Sequence, residues 1–247
     1  MSQTLSRGLD TLRALGDGPQ TIGDIAERLG VHHSTALRLL HTLEGEGFVY
    51  RVDGRYRLGP QVAWLGQAML DQVDLRGVAR VHLEELAARV GETVHLATFI
   101  DDEVFYVDKV ESIHPVRMYS HVGKSAPLHC TGVAKAIAFK NRKLRDVLGR
   151  LPQPYERFTP ATRTTFDELL ADFDAAEQVG YVLDDREHEA SIHCIAMPIL
   201  GVDGVAASAI SITVPVHRCD LEQLRGYAPD LAEAASAISR ELGYFAA

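Results

Sequence analysis

Between Thr21 and Gly59 the chain carries two short helical stripes and then two short runs of strand-forming residues. Ile22, Ile25, Ala26 and Leu29 recur at helical spacing. Ala36, Leu39, Leu40 and Leu43 repeat the stripe at i, i+3, i+4, i+7 within Ser34–Gly45. Thr21, three residues ahead of Asp24, makes a capping-box start, and Gly30 can end the first helix with φ > 0. Two short helices joined through about four residues including glycine form a helix-turn-helix. Phe48–Tyr50 and Tyr56–Leu58 then flank Asp53-Gly54, a two-residue hairpin signal. The pattern predicts a winged helix-turn-helix with its second helix presented to a DNA major groove.

Upstream, Leu5, Leu9, Leu12 and Leu15 mark a first helix that ends in the turn Gly16-Asp17-Gly18-Pro19. Downstream, Pro60 suits a helix start, and Val62, Leu65, Met69 and Val73 continue at roughly helical spacing. The single Trp64 on this stretch is expected to pack rather than to bind. Leu75–Val90 reads as an amphipathic helix stopped by Gly91. Thr93–Ile100 and Val104–Val110 read as a strand pair around Asp101-Asp102-Glu103, and Val116–Val122 as a third strand. Ala134–Phe139, Leu144–Leu148 and Phe166–Val179 are expected helices, with a surface loop over Leu151–Pro160. Tyr181–Leu183 begins a strand, Ile195–Leu200 and Val205–Val214 form a hairpin across Asp203-Gly204, and Leu221–Leu242 closes the chain as one helix. Runs of strands with segregated helices imply an α+β domain with a mainly antiparallel sheet.

The length, 247 residues, suits two domains, and 46% hydrophobic with 24% charged residues is ordinary for a globular protein. No run approaches the roughly 18 apolar residues of a membrane span. The N-terminal MSQTLSRGLD has no apolar signal core, so a cytoplasmic protein is expected. The formal charge of −9 is unevenly placed: residues 1–59 hold seven arginines and seven carboxylates, so all the excess acid lies beyond them. A neutral reading head must therefore gather its cations on one face. The second helix of the motif does so, with Ser34, Arg38, His41 and Gly45 opposite the apolar stripe and no carboxylate among them. Ser34, Thr35, Arg38 and His41 are the expected base readers. Arg51, Arg55 and Arg57 cluster at the hairpin as expected phosphate contacts.

The run Gly30–Phe48, GVHHSTALRLLHTLEGEGF, resembles the DNA-binding segment of the IclR-type transcriptional regulators of bacteria. Two later stretches are similar to signatures of the same family. One is Gly123–Ala136, GKSAPLHCTGVAKA. The other is Asp184–Ile199, DDREHEASIHCIAMPI, followed by Gly204 and by Ala209–Thr213. Two positions depart from the usual pattern: Ala134 and Ser191 stand where glycine is common. The resemblance implies three parts: a winged helix-turn-helix over 1–59, a linker helix over 60–74, and a GAF-like α/β effector-binding domain over 75–247. It implies a homodimer or homotetramer on a pseudo-palindromic operator, with the first helix helping to pair two copies. It also implies a small organic acid, often aromatic or sugar-derived, in a cavity lined by Gly123, Lys124, Ser125, Ala126, Asp184, Cys194, Ser211 and Thr213. The residue chemistry fits an anion. Backbone N–H groups can converge at Gly123–Ala126, and Ser211 and Thr213 share a strand face.

Other chemistries fit less well. Cys130, Cys194 and Cys219 are odd in number and lack CxxC spacing, so neither a disulfide framework nor a four-cysteine zinc site is expected. His129-Cys130 and His193-Cys194 are adjacent pairs, and adjacent residues on a strand face opposite ways, which keeps His193 from activating Cys194. No catalytic residue, cofactor or resident metal is assigned. The rival readings are a winged-helix protein without an effector and a metal-responsive regulator using Cys and His of the second domain.

Overall fold

The computed structural model describes residues 3–72, 74–114 and 120–245. The chain divides into two compact units, Met1–Val73 and Asp74–Ala247.

In the first unit, α1 (Gln3–Gly16), α2 (Ile22–Leu29) and α3 (His33–Gly45) precede the strands β1 (Val49–Val52) and β2 (Arg55–Leu58) and the helix α4 (Pro60–Gln72). The expected capping box is present, with Thr21 and Asp24 bonding each other's backbone N–H. Gly30 takes φ 61°, the left-handed turn that a Cβ would oppose, and its N–H closes the helix on Ala26 and Glu27 carbonyls. Ala36, Leu39 and Leu40 of α3 are buried, and Leu40 joins Leu15, Ile25, Val49 and Tyr56 in one core. Asp53 and Gly54 both have positive φ, 50° and 78°, as the tight hairpin turn requires. Tyr56 ties this wing to the body through paired backbone bonds with Gln20.

Part of the first-helix stripe is exposed: Leu5 is 65% and Leu9 45% exposed, while Thr11, Ala14 and Leu15 of α1 are buried. One expectation for this unit needs correction. Trp64, expected to pack, is 64% exposed on α4. Of the stripe proposed for that helix, Val73 lies outside the described residues.

The second unit is built on a sheet in the order β5-β4-β3-β8-β7-β6, with every neighbouring pair antiparallel. Its strands are β3 (Thr93–Ile100), β4 (Glu103–Val110), β5 (Ser125–Ala126), β6 (Val182–Asp185), β7 (Ile192–Leu200) and β8 (Ala206–Pro215). Its helices are α5 (Leu75–Val90), α6 (Gly132–Phe139), α7 (Arg142–Arg150), α8 (Phe166–Val179), α9 (Leu221–Gly226) and α10 (Ala228–Glu241). Alternation sends Ile210, Ile212 and Val214 of β8 into a core with α5, α9 and α10. Ala209, Cys194 and Ala196 face a second core with α6, α7 and α8.

The expected third strand, 116–122, falls mostly on residues outside those described, and Ser120–Val122 are not in a strand. The edge partner of β4 is instead the two-residue β5. The closing helix is two helices: Pro229 has no N–H to extend α9, so the chain breaks at Tyr227 and α10 restarts with proline in its first turn. The loop over Leu151–Pro160 is anchored rather than loose, since Tyr155 is buried and its hydroxyl donates to Leu148 O at 2.8 Å.

A buried charge stitches the second core together. Lys135 on α6 is fully buried, with Nζ 2.6 Å from Glu187 Oε1 and 2.8 Å from Asp172 Oδ2 of α8. Asp172 also takes Arg163, at 3.1 Å. Lys135→Met should therefore strand Glu187, while Asp172 keeps a partner, and lower stability by about 3–5 kcal/mol. Chemical denaturation of the full chain reads this, and Lys135→Met combined with Glu187→Gln should regain much of the loss. Unchanged stability in the single variant would remove this network as a structural tie.

Candidate functional site

Each unit carries one candidate site. On α3, Ser34, Arg38 and His41 are exposed, as expected of a reading face. Thr35 is only half-exposed and turns with Arg38 toward α1. There Thr35, Arg38 and Thr42 share a cleft of about 280 Å³ with Thr4 and Arg7. Arg7 has no counterpart in the expected set, because its place beside α3 depends on how α1 crosses that helix. The reading face is not free of acid: Glu44 Oε2 approaches His41 Nδ1 to 3.7 Å.

The three wing arginines do not form one cluster. Val52 pairs with Arg55 and Tyr50 with Arg57, which places Arg55 and Arg57 on one face of the hairpin. Arg51 pairs with Tyr56 on the other face, and its guanidinium lies 5.6 Å from the Tyr56 ring centroid. Arg55 also donates to Pro19 O at 3.3 Å, so Arg57 is the more available of the outer pair.

In the second unit the polar face of the sheet and the start of α6 enclose a small cavity of about 40 Å³. At roughly 10–15 Å³ per water position, that is room for a few waters. Register builds one wall. Thr213 lies opposite Cys194, and Cys194 opposite Asp184, while Ser211 lies opposite His95 on β3. Lys124 and Ser125 line the cavity as expected, together with Asp184, Cys194, Ser211 and Thr213. Gly123 and Ala126 do not. The expected convergence of their N–H groups also fails in part, because Gly123 N donates to Tyr106 O and Lys124 N to His121 O.

The donors come instead from α6. Thr131 is its N-cap residue, but the hydroxyl turns back to Pro127 O at 2.7 Å, so no side chain caps the first turn. Gly132 and Val133 of that turn line the cavity, and the N-terminal end of a helix favours negative charge. Glycine permits the close approach: a Cβ at 132 would meet Cys194 Sγ at 2.6 Å. Tyr106, His95, His188 and Glu189 also line the cavity and were not anticipated. The alternating polar residues of β3 and β4 were the available signal for the first two.

Burial keeps two of the cavity's titratable groups, His95 and Cys194, uncharged. Burial, then the Lys109 charge, lowers His95 to about 3, so its ring is neutral. Its Nε2 lies 2.7 Å from Ser120 Oγ and its Nδ1 3.2 Å from Thr213 Oγ1. Burial, then the Asp184 charge, pushes Cys194 up to about 12, so the group is a thiol and no nucleophile. His193 is separated from it as alternation requires, with Nδ1 3.1 Å from Asp185 Oδ1. His129 Nε2 donates to Glu156 O at 2.8 Å. Among the described residues no group of three or more His, Cys, Asp or Glu side chains is placed to hold a metal. No helix among them is long and apolar enough to cross a membrane.

Two family models match the chain. One, described as the IclR helix-turn-helix domain, covers residues 4–53, and one described as bacterial transcriptional regulator IclR C-terminal covers residues 67–240. The chain belongs to the IclR family. It is 32% identical over 238 residues to the regulator KdgR of Escherichia coli K12, covering 94% of this chain and 90% of KdgR. The repressor AllR of the same organism is 31% identical over 248 residues, covering 98% and 91%. The crystal structure of Thermotoga maritima IclR matches with a TM-score of 0.65 at 30% identity, covering 99% of this chain and all of that one. Members of the IclR family are helix-turn-helix transcriptional regulators that bind operator DNA, not enzymes, and this chain is one of them.

Asp184 gives this IclR-family cavity a measurable signature. Burial, then the Glu187 charge, raises its carboxyl from 3.8 to about 7. The folded state holds this proton more tightly than the unfolded chain does. The group's contribution to stability is therefore complete below the unfolded value, falls as pH rises toward about 7, and is level above it. Asp184→Asn removes that decline, so its melting temperature should gain on the wild type steadily across this window. Parallel melting curves from pH 4 to 8 would dismiss the shift.

Proposed function

We propose that this regulator reads a two-half-site operator as a dimer or tetramer and that a compact organic acid in the 74–247 unit alters its grip on DNA. The observation that carries the effector half is the uncapped first turn of α6 meeting Ser211, Thr213 and Asp184 across a small cavity. A carboxylate there would receive backbone N–H groups at the helix start, hydroxyl donors, and the proton that Asp184 retains below about pH 7. A cavity of about 40 Å³ favours an acid of a few carbons over an aromatic one.

On the DNA side, Ser34, Thr35, Arg38 and His41 read bases, and Arg57, Arg55 and Arg7 contact phosphates, with Arg51 held back on Tyr56. A second copy is expected on the apolar groove formed by Leu5, Leu9 and Leu12 with Leu39, Leu43 and Phe48. The 1–59 reading head, the 60–74 helix and the 75–247 effector domain are thus the working parts of a cytoplasmic regulator.

For DNA, Arg38→Ala should cost about 1–3 kcal/mol on the operator and less on unrelated duplex. Arg57→Ala should weaken all sequences alike and reduce the slope of log affinity against log salt by about 1. Fluorescence titrations at several salt concentrations separate the two, and indifference of operator affinity to Arg38→Ala would remove α3 as the reading helix.

For the effector, short carboxylic acids should raise the melting temperature with concentration roughly as RT ln(1 + [L]/Kd), whereas their amides should not. Ser211→Ala should weaken the response by about 0.5–3 kcal/mol while leaving DNA binding by the free protein intact. Equal stabilisation by acids and amides, or hits that never change operator affinity, would count against the pocket alone and spare the DNA half.

A further inference from the structure

At the start of α3 the capping group is an imidazole. His32 sits in extended backbone at the N-cap, and its Nδ1 accepts the Ser34 N–H at 3.3 Å. The same Nδ1 lies 2.9 Å from Ser34 Oγ. A peptide N–H can only donate, so Nδ1 carries a lone pair and the ring proton resides on Nε2. The contact to Ser34 then has one polarity: the hydroxyl donates to Nδ1.

That commitment changes what Ser34 shows to DNA. A free serine hydroxyl both donates and accepts, and so reads either kind of base edge. With its single proton held by His32, the oxygen has only lone pairs left to present. We propose that His32 is a positioning residue that makes Ser34 an obligate acceptor, so that Ser34 selects an exocyclic amino group, N4 of cytosine or N6 of adenine, in the major groove. Guanine and thymine would set their own O6, N7 or O4 acceptors against that oxygen, leaving two acceptors facing with no proton between them. This inference rests on α3 being the reading helix.

The test uses the full-length protein, a pool of duplex oligonucleotides with randomised bases, and competition titrations on the sites it enriches. Wild type should prefer cytosine or adenine at one position of each half-site by about 3–10-fold, the worth of one hydrogen bond. Ser34→Ala should erase the preference at that position alone. His32→Thr keeps a capping oxygen but offers a hydroxyl that donates as well as accepts. It should flatten the same position while holding affinity for the best site within about threefold. In the Ser34→Ala background, His32→Thr should have no further effect on base preference. Long-range proton–nitrogen spectra should show the His32 ring, identified by its loss in His32→Thr, protonated at Nε2. A uniform loss of affinity in His32→Thr with the preference kept would make His32 a plain cap and overturn the proposal. So would an Nδ1-protonated ring, or a Ser34→Ala protein with every preference intact. Those results leave operator reading by α3 standing, whereas a wild-type protein that enriches no sequence at all would overturn both.

Discussion

The central strand of the larger sheet has to satisfy two layers at once. Residues of β8 alternate between Ile210, Ile212 and Val214 on one side and Ala209, Ser211 and Thr213 on the other. The branched hydrocarbons hold α5 and α10 against the sheet. The small and polar residues leave space on the opposite face that neither α6 nor its neighbours fill. A one-residue slip in this strand would put the isoleucines into the cavity and the hydroxyls into the hydrocarbon core. The candidate effector site and the stability of the unit are two consequences of a single register.

Several polar groups inside that second layer are held by other side chains and by the backbone. Lys135 neutralises Glu187 and Asp172. Glu187 belongs to the same turn as Asp184, since Glu187 N donates to Asp184 Oδ1 at 2.7 Å. Thr159 and Thr162 hydroxyls clamp the turn from the other side through Arg186 O and Glu187 O. The carboxyl that lines the cavity is thus fixed by a chain of bonds running from α8 through α6.

The smaller unit applies the helical counterpart of the same rule. One face of α3 is spent on Ala36, Leu39 and Leu40, so its outward residues are free for recognition. The hairpin obeys the strand rule, and there it divides the wing: Tyr56 must be buried, and Arg51 opposite it is drawn to the same face. Charge at a hairpin tip is therefore not one patch even when three arginines crowd into seven residues.

Periodicity, capping and turn chemistry are local, and they were legible in the chain itself. The stripes of α2 and α3, the Thr21 capping box, Gly30, the Asp53-Gly54 turn, both long hairpins of the sheet and the bounds of α5 and α8 could all be read from spacing. The family resemblance then pointed to Asp184, Cys194, Ser211 and Thr213 as neighbours. Only tertiary structure decided which donors meet them. Whether Gly123 and Lys124 offer their N–H groups depends on Tyr106 and His121, which already take them, and the open first turn of α6 replaces them. The same holds for Arg7 beside α3 and Trp64 standing in solvent, as for the buried Lys135. Which side chains share a cavity or a cleft is set by the crossing of distant elements, and no spacing along one segment records that crossing.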